Sequence, residues 1–95
     1  MVRAFNFMET SEVQIFPIRQ QGTLVAFGSF LANNSLRISG IALHTGKEGK
    51  LRIVFPAKKV GNGYVYYCQP LNQEIKRQIE LVFEEKAKEV GLFDL

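Results

Sequence analysis

Residues 69–90, QPLNQEIKRQIELVFEEKAKEV, hold the change of pattern that decides the fold. Before Pro70 the apolar side chains mostly recur at every second residue; after Asn72 they recur at intervals of three and four. Ile75, Ile79, Val82, Phe83, Ala87 and Val90 form one stripe, about five turns long at 3.6 residues per turn. Pro70 cannot continue a central strand, Asn72 suits an N-cap, and Gly91 is a natural stop, so a helix is predicted over 72–91. Its other side carries Lys76, Arg77, Glu80, Glu84 and Lys88, a face of mixed charge rather than a basic one.

Working back from that helix, residues 13–69 read as strands. Val13, Ile15 and Ile18 begin the first, and Pro17 confines it to an edge or a bulge because it has no N–H to give a ladder. Residues 23–32 form a second strand, closed by Asn33 and Asn34, which tolerate the left-handed backbone of a tight hairpin. In the third strand Leu36 and Ile38 have one parity and Ile41 and Leu43 the other. A bulge at Gly40 would return both pairs to the core side. Gly46, Lys47, Glu48 and Gly49 make a polar turn, and Leu51, Ile53 and Phe55 alternate in a fourth strand that Pro56 ends. Residues 58–63 are expected to be a basic hairpin loop, with 64–68 as the return strand. Residues 1–12 alternate only loosely and are expected to be a flexible arm, or a strand ordered against a partner. The expected fold is therefore α+β: one domain over 1–95, an antiparallel sheet of about five strands and one long C-terminal helix across a sheet face.

Composition removes several classes. The chain has 95 residues, 46% hydrophobic and 22% charged, with eight Phe and no Trp, which is ordinary globular usage. The longest uncharged stretch, 20–36, is broken by Gly22, Gly28, Ser29, Asn33 and Asn34 and is no membrane helix. No apolar run near the N-terminus resembles a signal peptide, and the single Cys68 allows no internal disulfide. A cytoplasmic location follows as the expectation. One His and one Cys make no ordinary zinc site, so no metal and no cofactor is expected.

Catalysis has little to work with. A nucleophile needs a base within hydrogen-bond reach, and His44 with Cys68 is the sole Cys–His combination. His44 lies at a strand end, and Cys68 in an aromatic strand has the usual setting of a small buried hydrophobe. No acidic residue lies between 13 and 43, and the glycines at 46, 49, 61 and 63 are turn glycines rather than a phosphate loop. No enzyme is expected and no catalytic residue is assigned.

Charge and aromatic content make a better constellation. Residues 1–71 hold eight basic side chains against three acidic, a net of +5; residues 72–95 hold four against six, a net of −2. Lys47, Lys50, Arg52, Lys58 and Lys59 cluster around the fourth strand and its two flanking turns, with Lys76 and Arg77 at the helix start. Spaced positive side chains on one surface suit a phosphate backbone. Tyr64, Tyr66 and Tyr67 lie beside them, and an exposed ring there can stack on an unpaired base. The structural alternative is that tyrosines simply make good cross-strand neighbours.

The run Leu51-Arg52-Ile53-Val54-Phe55-Pro56-Ala57-Lys58-Lys59, then Gly63, then Pro70-Leu71-Asn72, resembles the stage V sporulation protein G (septation protein) family of bacteria. The similarity covers about residues 23–90, and Pro56 to Lys59 is its most specific part. The resemblance implies a small α+β domain that dimerises through its sheet and regulates by binding DNA or RNA. Lys58 and Lys59 match the family's basic pair after the proline, Lys76 a basic residue near the helix start, and Ile79 its buried neighbour one turn on. Tyr66, Tyr67 and Cys68 stand where the family usually has charge, and Gln69 where it usually has His, as in a divergent member.

Two functions are thus expected to compete. In the first, a homodimeric nucleic-acid-binding regulator contacts phosphate through Arg52, Lys58, Lys59 and Lys76, supported by Lys47, Lys50 and Arg77. In the second, a protein-interaction module uses exposed strand edges and binds another protein without nucleic acid.

Overall fold

The structure is a computed structural model and describes residues 8–47 and 50–92. Residues 1–7, with most of the expected arm, lie outside the described residues, as do Glu48 and Gly49 of the polar turn. Four antiparallel strands lie side by side in chain order: β1 (Thr10–Gln21), β2 (Leu24–Ala32), β3 (Leu36–Thr45) and β4 (Leu51–Val54). A separate two-stranded hairpin follows, β5 (Ala57–Val60) and β6 (Gly63–Tyr66), and then the helix α1 (Gln73–Glu89). The fold is α+β, with β1 an edge strand as Pro17 requires.

Local chemistry accounts for the elements. Asn33 and Asn34 both take left-handed φ, 50° and 53°, and turn β2 into β3. Between the pairs Phe30–Ile38 and Gly28–Ile41, β3 holds one residue more than β2, so a bulge lies at Ser39–Gly40, where Gly40 has φ 74°. It returns Ile41 and Leu43 to the core face, where both are fully buried, and Ile38 packs against them. Leu36 does not follow: at the turn end of the hairpin it is 62% exposed, contrary to the expected core position. The Asn72 side chain accepts from the Ile75 N–H at 2.8 Å and caps α1.

The core lies between one face of the four-stranded sheet and the helix stripe of Ile79, Phe83 and Ala87. Phe30 and Phe83 meet edge to face, with centroids 6.0 Å apart and planes at 76°. Such a pair adds about 0.5–1.5 kcal/mol beyond its burial. Beside them a Cβ on Gly28 would come within 2.5 Å of the Phe83 ring, so a bare backbone is what lets the helix approach β2 this closely. Two side-chain ties fasten the helix. The Leu51 N–H donates to Glu84 Oε2 at 3.2 Å, and Gln78 exchanges two hydrogen bonds with the Met8 backbone.

The expected return strand forms, as β6, but in a hairpin with β5 rather than in the four-stranded sheet. Phe55 turns into the core and Pro56 has no N–H for a ladder, so the chain leaves the sheet after β4. Lys58 and Lys59 therefore sit on β5 rather than in a loop, and the turn is Gly61–Asn62, with Gly61 at φ 60°.

Candidate nucleic-acid interface

All eight residues of β5 and β6 are exposed. Their register pairs Ala57 with Tyr66, Lys58 with Val65, Lys59 with Tyr64 and Val60 with Gly63. Side chains alternate along a strand and directly paired residues share a face. One face of the hairpin therefore carries Lys59, Tyr64 and Tyr66, and the opposite face carries Lys58, Val60 and Val65. The base of the hairpin is closed by the Tyr67 N–H, which donates to the Pro56 carbonyl at 3.0 Å. Tyr67 itself is exposed.

Where the hairpin leaves the sheet, a cleft of about 390 Å³ opens along β4. Arg52 and Ile53 line it from the strand, Tyr66 from the hairpin, Gln69 from the corner at Pro70, and Gln73 and Lys76 from the first turns of α1. The ladder fixes what β4 offers there. Leu51 sends its N–H to Glu84 instead of β3, so by antiparallel alternation Ile53 also turns its N–H and C=O to the free edge. Arg52, one residue out of phase with that edge, pairs directly across from His44 on β3.

The structure thus gathers Arg52, Lys76 and Tyr66 into one cleft, with Lys59 and Tyr64 continuing on the same hairpin face. Lys47 and Lys50 do not line the cleft; they stand on the β3–β4 turn, Lys50 two residues before Arg52. Arg77 is drawn away down the helix by Glu80 at 3.2 Å and Glu84 at 3.6 Å. Among the described residues, no carboxylate lies within ion-pair distance of Arg52, Lys59 or Lys76, so their charge is uncompensated at close range. Gln69, Gln73 and the Ile53 backbone were not foreseen as lining residues. Their one hint in the sequence is that both amides flank the Pro70 corner.

His44 and Cys68 are lodged in different surroundings. His44 Nδ1 and Thr23 Oγ1 share a hydrogen bond at 3.0 Å, and burial, with Arg52 opposite, lowers the imidazole pKa below 6.5. Cys68 lines a second, mainly apolar pocket of about 290 Å³ with Ile38, Phe55, Ile75 and Ile79, and burial raises its thiol pKa. No group of three His, Cys, Asp or Glu among the described residues is arranged to hold a metal ion. No helix among them is long and apolar enough to cross a membrane.

The face of the sheet turned away from the helix has its own pattern. Phe16, Phe27, Ala42 and Val54 are successive cross-strand partners and form one apolar row over all four strands. Phe16 is 54% and Phe27 37% exposed.

The family model SpoVG fits residues 8–86, which spans every strand and most of the helix. No curated protein matches the chain.

Proposed function

Because the chain belongs to the SpoVG family, a family of sporulation- and septation-related proteins, we propose that it is a regulatory protein that binds DNA or RNA. The observation that carries the proposal is the β4 cleft, where Arg52 and Lys76 come together beside Tyr66 and, among the described residues, neither is in an ion pair. Arg52, Lys59 and Lys76 hold the phosphates. Lys58, Lys47 and Lys50 widen the positive surface around them, and the exposed Arg77 joins by exchanging its glutamate partners for phosphate. Such contacts supply affinity and register but little choice of sequence.

The protein works as a homodimer in this proposal, its two copies joined through the apolar row of Phe16, Phe27, Ala42 and Val54. The second function, a protein-interaction module, is favoured by the other hairpin face, where Val60 and Val65 stand exposed beside Lys58.

A fluorescence-anisotropy titration of labelled DNA and RNA at about 50 and 200 mM salt separates the two. Binding that weakens steeply with salt supports the nucleic-acid regulator. Absence of binding to either ligand at the lower salt, with a protein partner co-purifying, supports the interaction module.

A further inference from the structure

We infer that the β4 cleft and the adjoining hairpin face take an unpaired strand, with one base stacked on Tyr66 in the cleft and a neighbouring base on Tyr64. This rests on the nucleic-acid function proposed above and names the ligand class of the same site. Three features of the geometry carry it.

The first is spacing. Tyr64 and Tyr66 are two residues apart on one face of β6, so their Cα atoms are roughly 6.6–6.8 Å apart. Bases in a duplex strand follow one another every 3.4 Å or so. Rings at twice that interval seat bases drawn apart from each other, a spacing that an unpaired strand adopts freely and a duplex reaches only by unstacking a step. The second is the wall of the cleft. The Ile53 N–H and C=O on the free edge of β4, with the amides of Gln69 and Gln73, set donors and acceptors around Tyr66. That set matches the edge of a base free to be hydrogen-bonded, an edge a paired base has already used. The third is the placing of charge. Lys76 and Arg52 line the same cleft, and Lys59 lies directly across from Tyr64, so a cation accompanies each ring. Alternating rings and cations are what a strand with bases on one side and phosphates on the other requires.

The test measures binding of an unstructured single strand of about a dozen nucleotides and of the same sequence as a duplex, at one salt concentration. Wild-type protein, Tyr66→Phe and Tyr66→Leu are compared. The single strand should bind more tightly than the duplex. Tyr66→Phe, which keeps the ring, should retain that affinity. Tyr66→Leu, which keeps the bulk without a π-face at an exposed position, should lose about 5- to 150-fold on the single strand and little on the duplex. Equal binding of both ligands, or a Tyr66→Leu variant that binds the single strand like wild type, would overturn the inference and leave nucleic-acid binding standing. Failure of wild-type protein to bind either ligand would overturn both.

Discussion

Lys58 and Lys59 are neighbours in the chain and stand on opposite faces of the hairpin, Lys58 across from Val65 and Lys59 across from Tyr64. A pair of lysines in a loop could turn to one ligand together; a pair on a strand cannot. The first prediction follows from that. Lys59→Ala should reduce the slope of log affinity against log salt by about 0.7–0.9, one phosphate contact, and Lys58→Ala by less. Anisotropy titrations across a salt series check it, and equal losses would mean that the ligand wraps both faces.

Gly28 and Phe83 should be coupled. Gly28→Ala drives a methyl group into the Phe83 ring and should cost about 1–3 kcal/mol of stability. Phe83→Ala, at a fully buried position, should cost about 3–5 kcal/mol. In urea unfolding, Gly28→Ala combined with Phe83→Leu should lose less than the sum of its parts, since the shorter side chain vacates the space that the new methyl needs.

Glu84 is tied into the fold by its bond to the Leu51 N–H, with its side chain only 12% exposed. Glu84→Ala should destabilise by about 1–3 kcal/mol because the N–H loses its acceptor. Glu84→Gln, whose amide oxygen can still accept, should lose less. Chemical denaturation of the three proteins side by side decides this.

His44 gives the stability a pH dependence of known sign. Its folded pKa lies below 6.5, so on acidification the unfolded chain takes up the proton first. Stability should therefore fall as the pH drops from 6.5 to the folded pKa, and His44 should add no further slope above or below that window. NMR titration of the imidazole should give a midpoint under 6.5, and Arg52→Gln should move it upward by removing the facing charge. A phosphate seated on Arg52 should move it the same way.

Phe27→Glu tests the dimer. Phe27 is central in the exposed apolar row, and a carboxylate there should shift sedimentation equilibrium toward monomer while the helix-side core stays packed. A dimer mass unchanged by the substitution would place the contact elsewhere, and a wild-type protein of monomer mass would remove the dimer from the proposal.

The parts of the fold that could be read in advance are those written in neighbouring residues. The period change after Pro70 with its Asn72 cap, the Asn33–Asn34 turn and the parity switch at Gly40 are all local signals, and each is matched in the structure. What could not be read depends on how distant segments meet. Alternation in residues 51–66 looks the same whether the chain stays in one sheet or leaves it, and Pro56 decides that only once Phe55 is seen turning into the core. Leu36 carries a core-like parity and lies past the covered part of the sheet. In the candidate site, the basic and aromatic residues were visible as types. Their division between two faces, the removal of Arg77 to Glu80 and Glu84, and the convergence of Gln69, Gln73 and Ile53 were not, because register and helix docking determine them.

The detached hairpin separates what must be kept from what is free to change. None of its eight residues belongs to the buried core, which lies between sheet and helix. Substitutions at Lys59, Tyr64 or Tyr66 can therefore alter what the protein holds without disturbing how it folds. Within one family, ligand preference could diverge by drift in this single loop of chain, with the scaffold carried forward unaltered.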